Sequence, residues 1–236
     1  VSQNNLRDYK WLFEEKFSEN HLIIVGINSQ THKNQIKKYF NSLSVYDHNL
    51  NLINSYNKIN LVPFGEFLPF EDILKKIGFK TITNNYQSFS KGDKRNIIEI
   101  NNESFDFKIL PLICYEIIYS GKIFKKDSFD YIINISEDGW FGQSIGPHQH
   151  FEHSIYRAIE SGKYVMRSAN NGISGIVNPL GVVEKQLDLN QIGYIDFIEA
   201  KKIEPTFFSQ YGNKIFVVII LLYIFLIISS NRFENE

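Results

Sequence analysis

The stretch from Ile215 to Ile228, IFVVIILLYIFLII, is fourteen apolar residues without a charge, and no other part of the chain looks like it. A helix that is apolar all round is either buried in protein or placed in lipid. Fourteen helical residues reach only about 21 Å, short of a ~30 Å hydrocarbon core. Extended from Tyr211 to Ser230, the segment reaches about 30 Å, with Lys214 near one end to snorkel and Arg232 beyond the other. The expectation is a transmembrane helix over 211–230 and a polar tail over 231–236. The competing reading, a buried strand or core helix, suits the length but not the position at the chain end. Lys214 and Arg232 at opposite ends set no orientation.

The residues ahead of the run read as one α/β domain over 1–210. At 43% hydrophobic and 22% charged, the 236-residue chain can bury a core. A net charge of -1 leaves no global field for nucleic acid, so no nucleic-acid partner is expected. The single cysteine, Cys114, excludes a disulfide framework within the chain and any multi-cysteine metal cluster. No signal-peptide pattern follows Val1. Leu6, Tyr9, Leu12, Phe13 and Phe17 recur at helical spacing, and His21 to Ile27 then reads as a buried strand. Leu43–Val45 and Leu50–Ile53 flank the turn-like Asp47-His48-Asn49, which predicts a hairpin running into Lys58. Residues 84–96 are polar and predict a surface loop. Lys108–Ile113, Tyr131–Ile135 and Tyr164–Met166 read as strands. Phe151, Ile155, Ala158 and Ile159 trace a helix face, and Asn178 to Gly181 a turn.

Cys114 ends the apolar run KILPLI, where a thiol gains exposure beside turning backbone. Such a position suits attack on an acyl carbon, although a lone cysteine after a strand is more often a small buried hydrophobe. A cysteine nucleophile needs a base or neighbouring cation, and the acyl oxygen needs a positive donor. Lys58, in NKINLVPFGE, is the candidate cation; taken alone it reads as a solvated surface charge. Four segments in order single it out: YNKINLVPFGEFLPF, LPLICYEIIYSG, DGWFGQSIGPHQH with a helix ending RAIESGK, and RSANNGISGIVNPLG. Together with TFFSQYGN ahead of the apolar run, they resemble the catalytic domain of the apolipoprotein N-acyltransferase family, within the carbon-nitrogen hydrolase (nitrilase) superfamily.

The resemblance implies a four-layer αββα sandwich, followed by the transmembrane helix, and a Glu, Lys, Cys catalytic set. It makes Cys114 the nucleophile and Lys58 the cation that stabilises the oxyanion and favours the thiolate. Glu66, Tyr115 and Glu116 fall at further positions required for activity; Glu66 could orient Lys58 or relay protons, and Glu116 could act directly or brace the turn. The family's general-base Glu ends a strand ahead of the Leu6–Phe17 helix, and residues 1–5 (VSQNN) offer no match. The base, with the family's N-terminal membrane helices, is therefore expected upstream of Val1, and the 236-residue chain is expected to be inactive by itself. Glu137 stands where the family usually shows Asn.

His148, His150 and His153 lie close in sequence, but no nearby Cys completes a closed site and they open a helix, so no metal is expected; no cofactor is implied. Phe67, Trp140 and Phe141, with Phe64 and Phe70, read as core-packed rings in most proteins; beside a lipid site they are expected to contact acyl chains. The activity implied is transfer of an acyl chain from a phospholipid, through a Cys114 thioester, to the α-amine of a lipoprotein's diacylglyceryl-cysteine. The partners are those two lipids and the bilayer, with the catalytic domain facing the periplasm from the bacterial inner membrane. The alternatives are a membrane-anchored amidase or nitrilase acting on a small amide, and a catalytically dead tethered binding domain. The terminal apolar run together with the NLVPFGEFLP stretch, which a soluble amidase would not be expected to combine, weighs against the first, and the joint presence of Lys58, Glu66, Cys114, Tyr115 and Glu116 against the second.

Overall fold

Alternating apolar residues divide the strands between two faces, and this alternation builds the layers. A computed structural model describes residues 3–33, 36–70, 73, 76, 78, 88–121, 129–198, 203–204 and 206–233. Strands β1 (Ile23–Lys33), β2 (Ile36–Tyr46) and β3 (Leu52–Asn57) form an antiparallel sheet in that order. Strands β4 (Ile98–Asn101), β5 (Asp106–Ile113), β6 (Tyr131–Glu137), β7 (Tyr164–Asn170), β8 (Ser174–Val177) and β9 (Val183–Leu187) form a second, mixed sheet. Its centre, β5-β6-β7, is parallel, with Ile113 opposite Ile135 and Glu137 opposite Asn170.

The two sheets pack face to face through Leu43, Val45 and Tyr56 of the first and Ile98, Ile109, Ile113, Ile133 and Ile135 of the second. The alternate residues of the second sheet, Leu110, Leu112, Ile132 and Val165, face helix α2 (Gly146–Ser161) through Phe151 and Ala158. On the outer face of the first sheet, Ile23, Val25 and Ile27 pack with Leu6 of a 3-10 segment, Gln3–Tyr9, that leads into α1 (Lys10–Lys16). The two sheets are thus stacked, with α2 on the outer face of the second and the 3-10 segment on the outer face of the first.

The hairpin expected around Asp47 is present. Oδ1 of Asp47 accepts from the backbone N–H of Asn49 and of Asn51, which closes the turn between β2 and β3. The segment 84–96 differs from its sequence reading: 84–87 lie outside the described residues, and 88–96 lie against the first sheet rather than loose on the surface. Gly92 is buried and donates its N–H to the Lys58 carbonyl at 2.9 Å. A Cβ on Gly92 would stand 2.2 Å from the Asn57 carbonyl oxygen, so only glycine permits this approach.

At the chain's end, α3 (Phe207–Tyr211) is capped by the Thr206 hydroxyl, and Gly212 at φ +53° breaks the backbone before α4 (Lys214–Phe233). Tyr211 thus closes one helix and Lys214 opens the next, which moves the start of the terminal helix three residues on from its expected place. Every residue from Phe216 to Ile228 is exposed, so the apolar run is not a core helix of the sandwich. Among the described residues no helix is long and apolar enough to cross a membrane; the side chains of α4 are described only to Ser230. Of the expected tail, 234–236 lie outside the described residues.

Candidate active site

In a parallel sheet the backbone leaves the carboxyl edge at each strand end, and this is where side chains can converge on a substrate. Cys114, Asp138 and Asn171 directly follow β5, β6 and β7 at that edge. Cys114 opens a 3-10 turn, Cys114–Ile118, with φ +50°, a left-handed conformation rare for a residue with a Cβ. Its thiol is half-buried. The chain therefore turns sharply at the thiol.

Lys58 directly follows β3 on the facing sheet. Its ammonium is almost sealed from water, 1% exposed, and donates to Oε2 of Glu66 at 2.7 Å. Glu66, 8% exposed, also accepts from the backbone N–H of Val62 at 2.9 Å and, through Oε1, from Asn41 Nδ2 at 2.7 Å. The turn over 62–67 that carries Glu66 is tight. Glu66 N–H donates to the Val62 carbonyl, Phe64 N–H donates to the Phe67 carbonyl, and Phe64 sits at φ +62°.

Glu116 joins the two halves. Its carboxylate is fully buried, and Oε1 accepts from the Tyr56 hydroxyl at 2.7 Å, the Arg95 guanidinium at 3.1 Å, and the backbone N–H groups of Ile59 and Asn60 at 3.2 Å each. Oε2 accepts from the N–H of Ile113 at 3.0 Å. A carboxylate removed from water needs such compensation, and here the donors come from the residues either side of Lys58 and from the strand end before Cys114. Burial, followed by the nearby Glu116 charge, pushes the Tyr56 hydroxyl far above its usual range, so it stays protonated as a donor. Every named partner of Glu116 is a protein donor, and these bonds link the segment after β3 to the end of β5.

A second buried network lies beneath the cysteine. Asp138 is fully buried; its Oδ2 accepts from Arg167 Nη2 at 2.6 Å, and its Oδ1 lies 2.6 Å from the Ser136 hydroxyl and 2.9 Å from His150 Nδ1. Burial alone would raise its pKa, but the His150 hydrogen bond, the Arg167 charge and the Ser136 hydroxyl together hold it down at about 2. Arg167 also donates to Asn134 Oδ1, and Asn134 donates to the Leu112 carbonyl at 3.1 Å. His150 Nε2 lies 3.2 Å from the Cys114 carbonyl oxygen.

The remaining expected residues range from half-buried to exposed. Trp140 is 54% exposed on the 3-10 turn Asp138–Phe141, while Phe141 is half-buried with its ring edge-on to His150 at 5.4 Å. Phe67 is half-buried in the Glu66 turn, and Phe70 is exposed beyond it. Tyr115 is partly exposed and packs edge-to-face with Tyr119 at 6.0 Å. Glu137 takes donors from the Gly139 N–H at 2.9 Å and from the amides of Asn170 and Asn171. A cavity of about 460 Å³ opens between this turn and the β9 end, lined by Gly139, Gly142, Gln143, Ser144, Asn171, Leu189 and Asn190. Its groups are mostly uncharged and polar. Among the described residues no three His, Cys, Asp or Glu side chains cluster so as to hold a metal ion; His150 is engaged with Asp138 and the Cys114 carbonyl, and burial, then Arg157, lowers the pKa of His153.

Within the quoted motifs nothing separates Tyr56, Asp138 and Arg167 from their neighbours, and His150 reads there as one of three close histidines; Arg95 lies in the polar stretch 84–96, outside the motifs.

Two stacked sheets, with a cysteine at the end of a central parallel strand of one and a buried Lys–Glu pair just after a strand of the other, fit a carbon-nitrogen hydrolase architecture. The chain belongs to the carbon-nitrogen hydrolase family, whose pattern matches residues 15–197. Among curated proteins it is similar to the apolipoprotein N-acyltransferase of Rickettsia prowazekii (strain Madrid E), 41% identical over 200 residues that cover 83% of this chain and 39% of that protein. The apolipoprotein N-acyltransferase of Bradyrhizobium diazoefficiens is 38% identical over 192 residues, covering 81% of this chain and 35% of that protein. The chain thus spans less than half the length of these relatives. Among solved structures, an amidase from Nesterenkonia sp. AN1 with an acetamide moiety covalently added at its active-site cysteine superposes with TM-score 0.52 at 12% identity, covering 79% of this chain and 63% of that one. A Saccharomyces cerevisiae member of branch 10 of the nitrilase superfamily gives 0.50 at 17% identity, covering 80% and 68%. At these identities the two structures speak for the fold alone.

Proposed function

We propose that this chain carries the acyl-transfer site of an N-acyltransferase that moves a fatty acyl group from a phospholipid to the α-amine of a diacylglyceryl-cysteine lipoprotein. The Cys114 thiolate attacks the ester carbonyl, and charge builds on the carbonyl oxygen. Lys58, steadied by Glu66, stabilises that oxyanion. The carbon–oxygen bond breaks, the lysophospholipid leaves as its alcohol after gaining a proton, and an acyl thioester remains on Cys114. The acceptor amine then attacks the thioester, loses a proton, and leaves as the amide while the thiol is restored.

The observation that supports this reading most is a left-handed Cys114 at a parallel strand end together with the buried Lys58–Glu66 pair, the neighbours Ile113 and Ile59 both donating to Glu116. The choice of an amine acceptor rather than water follows the relatives at 35–41% identity, which carry the N-acyltransferase name. The exposed apolar helix α4 supports a bilayer setting. Its exposed apolar surface, Phe216–Ile228, is one that lipid covers at less cost than water. We place the sandwich at the periplasmic face of the inner membrane, with Trp140, Phe67 and Phe141 as the apolar rim that receives acyl chains.

The test is N-acylation of a diacylglyceryl-cysteine peptide by the full-length protein in phospholipid vesicles, read by peptide mass. Acylated peptide that disappears in Cys114→Ala supports the reading. Turnover of small amides with no acylated peptide would replace it by the amidase reading.

A further inference from the structure

We propose that His150 is a positioning residue that holds the carbonyl of Cys114 and thereby fixes the left-handed turn that aims the thiol. This rests on Cys114 being the nucleophile. The carbonyl oxygen can only accept, so the His150 Nε2 that lies 3.2 Å from it carries the proton. The other nitrogen, Nδ1, lies 2.9 Å from Asp138 Oδ1 and 3.1 Å from Arg167 Nη2. It accepts from Arg167 when the ring is neutral and donates to Asp138 when the ring is charged. Nε2–H points at the Cys114 carbonyl in both states.

Everything behind the ring is fixed. His150, Asp138 and Arg167 are all buried, and Arg167 is held further by the Asn134 side chain and the Ile173 carbonyl. Helix α2 carries His150, β7 carries Arg167, and the turn after β6 carries Asp138, so three elements of the sandwich meet at one donor. That donor addresses Cys114, whose backbone is left-handed, φ +50°. Without a partner on the carbonyl, the strained peptide is free to relax toward an ordinary conformation, and the thiol swings with it. The network thus acts on the reaction through backbone geometry, and none of its charged groups needs to touch the substrate.

The test compares His150→Gln, His150→Asn and His150→Phe in the full-length protein. Glutamine carries its amide nitrogen about as far out as Nε2, whereas asparagine reaches only to the Nδ1 position. The readouts are the rate of Cys114 alkylation by iodoacetamide, followed by peptide mass, and the rate of acyl transfer, with thermal melting recorded for each variant. The inference expects His150→Gln within about threefold of the parent in both rates, and His150→Asn and His150→Phe slower by about tenfold, the loss of one hydrogen bond's worth of positioning. Where His150→Phe does not fold, the Gln and Asn pair decides. Equal rates for Gln and Asn at equal melting temperature overturn the inference. A parent protein whose Cys114 reacts no faster than in the urea-unfolded chain removes the nucleophile reading itself, and this inference with it.

Discussion

Nζ of Lys58 lies 2.7 Å from Oε2 of Glu66, and both groups are sealed from water. A buried pair of this kind is costly to assemble and far more costly to break, because removing one partner strands the other charge. The pair therefore serves position more than stability. Glu66 holds the Lys58 ammonium, and the Val62 N–H and Asn41 amide keep Glu66 in place; under the proposed mechanism this is where charge would develop.

Changing Glu66 to Gln leaves the Lys58 ammonium buried beside a neutral amide. The expected outcome is a loss of about 3–5 kcal/mol in unfolding free energy and about 10²–10³-fold in acyl transfer. Lys58→Met strands the Glu66 carboxylate instead, but Glu66 keeps the Val62 N–H and the Asn41 amide as donors, so this variant should melt closer to the parent than Glu66→Gln while losing a similar factor in rate. Denaturant unfolding and single-turnover acylation separate the two effects.

Arg95→Met tests the brace on Glu116. It removes one charged donor at 3.1 Å and the guanidinium that lies over the Tyr56 ring at 5.6 Å. The other donors to Glu116 remain, so the protein should fold with about 1.5–3 kcal/mol less stability. Segment 88–96 should exchange its amide hydrogens faster, measured by hydrogen–deuterium exchange and mass spectrometry.

Asp138 sets an acid limit. Its folded pKa of about 2 lies below the ordinary 3.8, so its contribution is fully present above about pH 4 and is lost as the pH falls toward 2. The shift corresponds to about 2 kcal/mol. Melting curves of the parent should drop through that window relative to pH 7, and Asp138→Asn, less stable at neutral pH, should show a shallower drop.

Much of the sandwich was readable because its central strands are continuous apolar runs. Lys108–Ile113 and Tyr131–Ile135 are buried on both faces, one against the first sheet and one against α2, and such strands carry little else. The far ends of β1 and β2 were not readable. Asn28, Ser29 and Gln30 pair with Asn41, Phe40 and Tyr39, and a polar strand is held by its backbone ladder and by contacts such as Ser29 Oγ to Ser42 Oγ at 2.6 Å. Strands β8 and β9 (SGIV and VEKQL) are too short or too charged to stand out. At the candidate site, motif order alone marks Cys114 and Lys58. The surroundings of Glu116 carry no such mark, because its partners Tyr56, Ile59, Asn60, Arg95 and Ile113 converge only once the two sheets are stacked.

Trp140 is more than half exposed beside the site, an unusual place for its ring in water. Trp140→Ala, and Phe67→Ala on the facing turn, should each weaken the apparent affinity for phospholipid vesicles by about tenfold with little change in melting temperature. A vesicle titration read through the acylation rate checks this. Unchanged affinity in both variants would remove the acyl-chain role of the rim.

The central claim is a covalent acyl group on Cys114. Intact-mass spectrometry of the full-length protein after incubation with a single phospholipid and no acceptor tests it directly. The account predicts a mass gain of one acyl chain, absent from Cys114→Ala and discharged when a diacylglyceryl-cysteine peptide is added. A folded parent protein that N-acylates the peptide without ever acquiring the adduct, or an adduct that persists in Cys114→Ala, would contradict it.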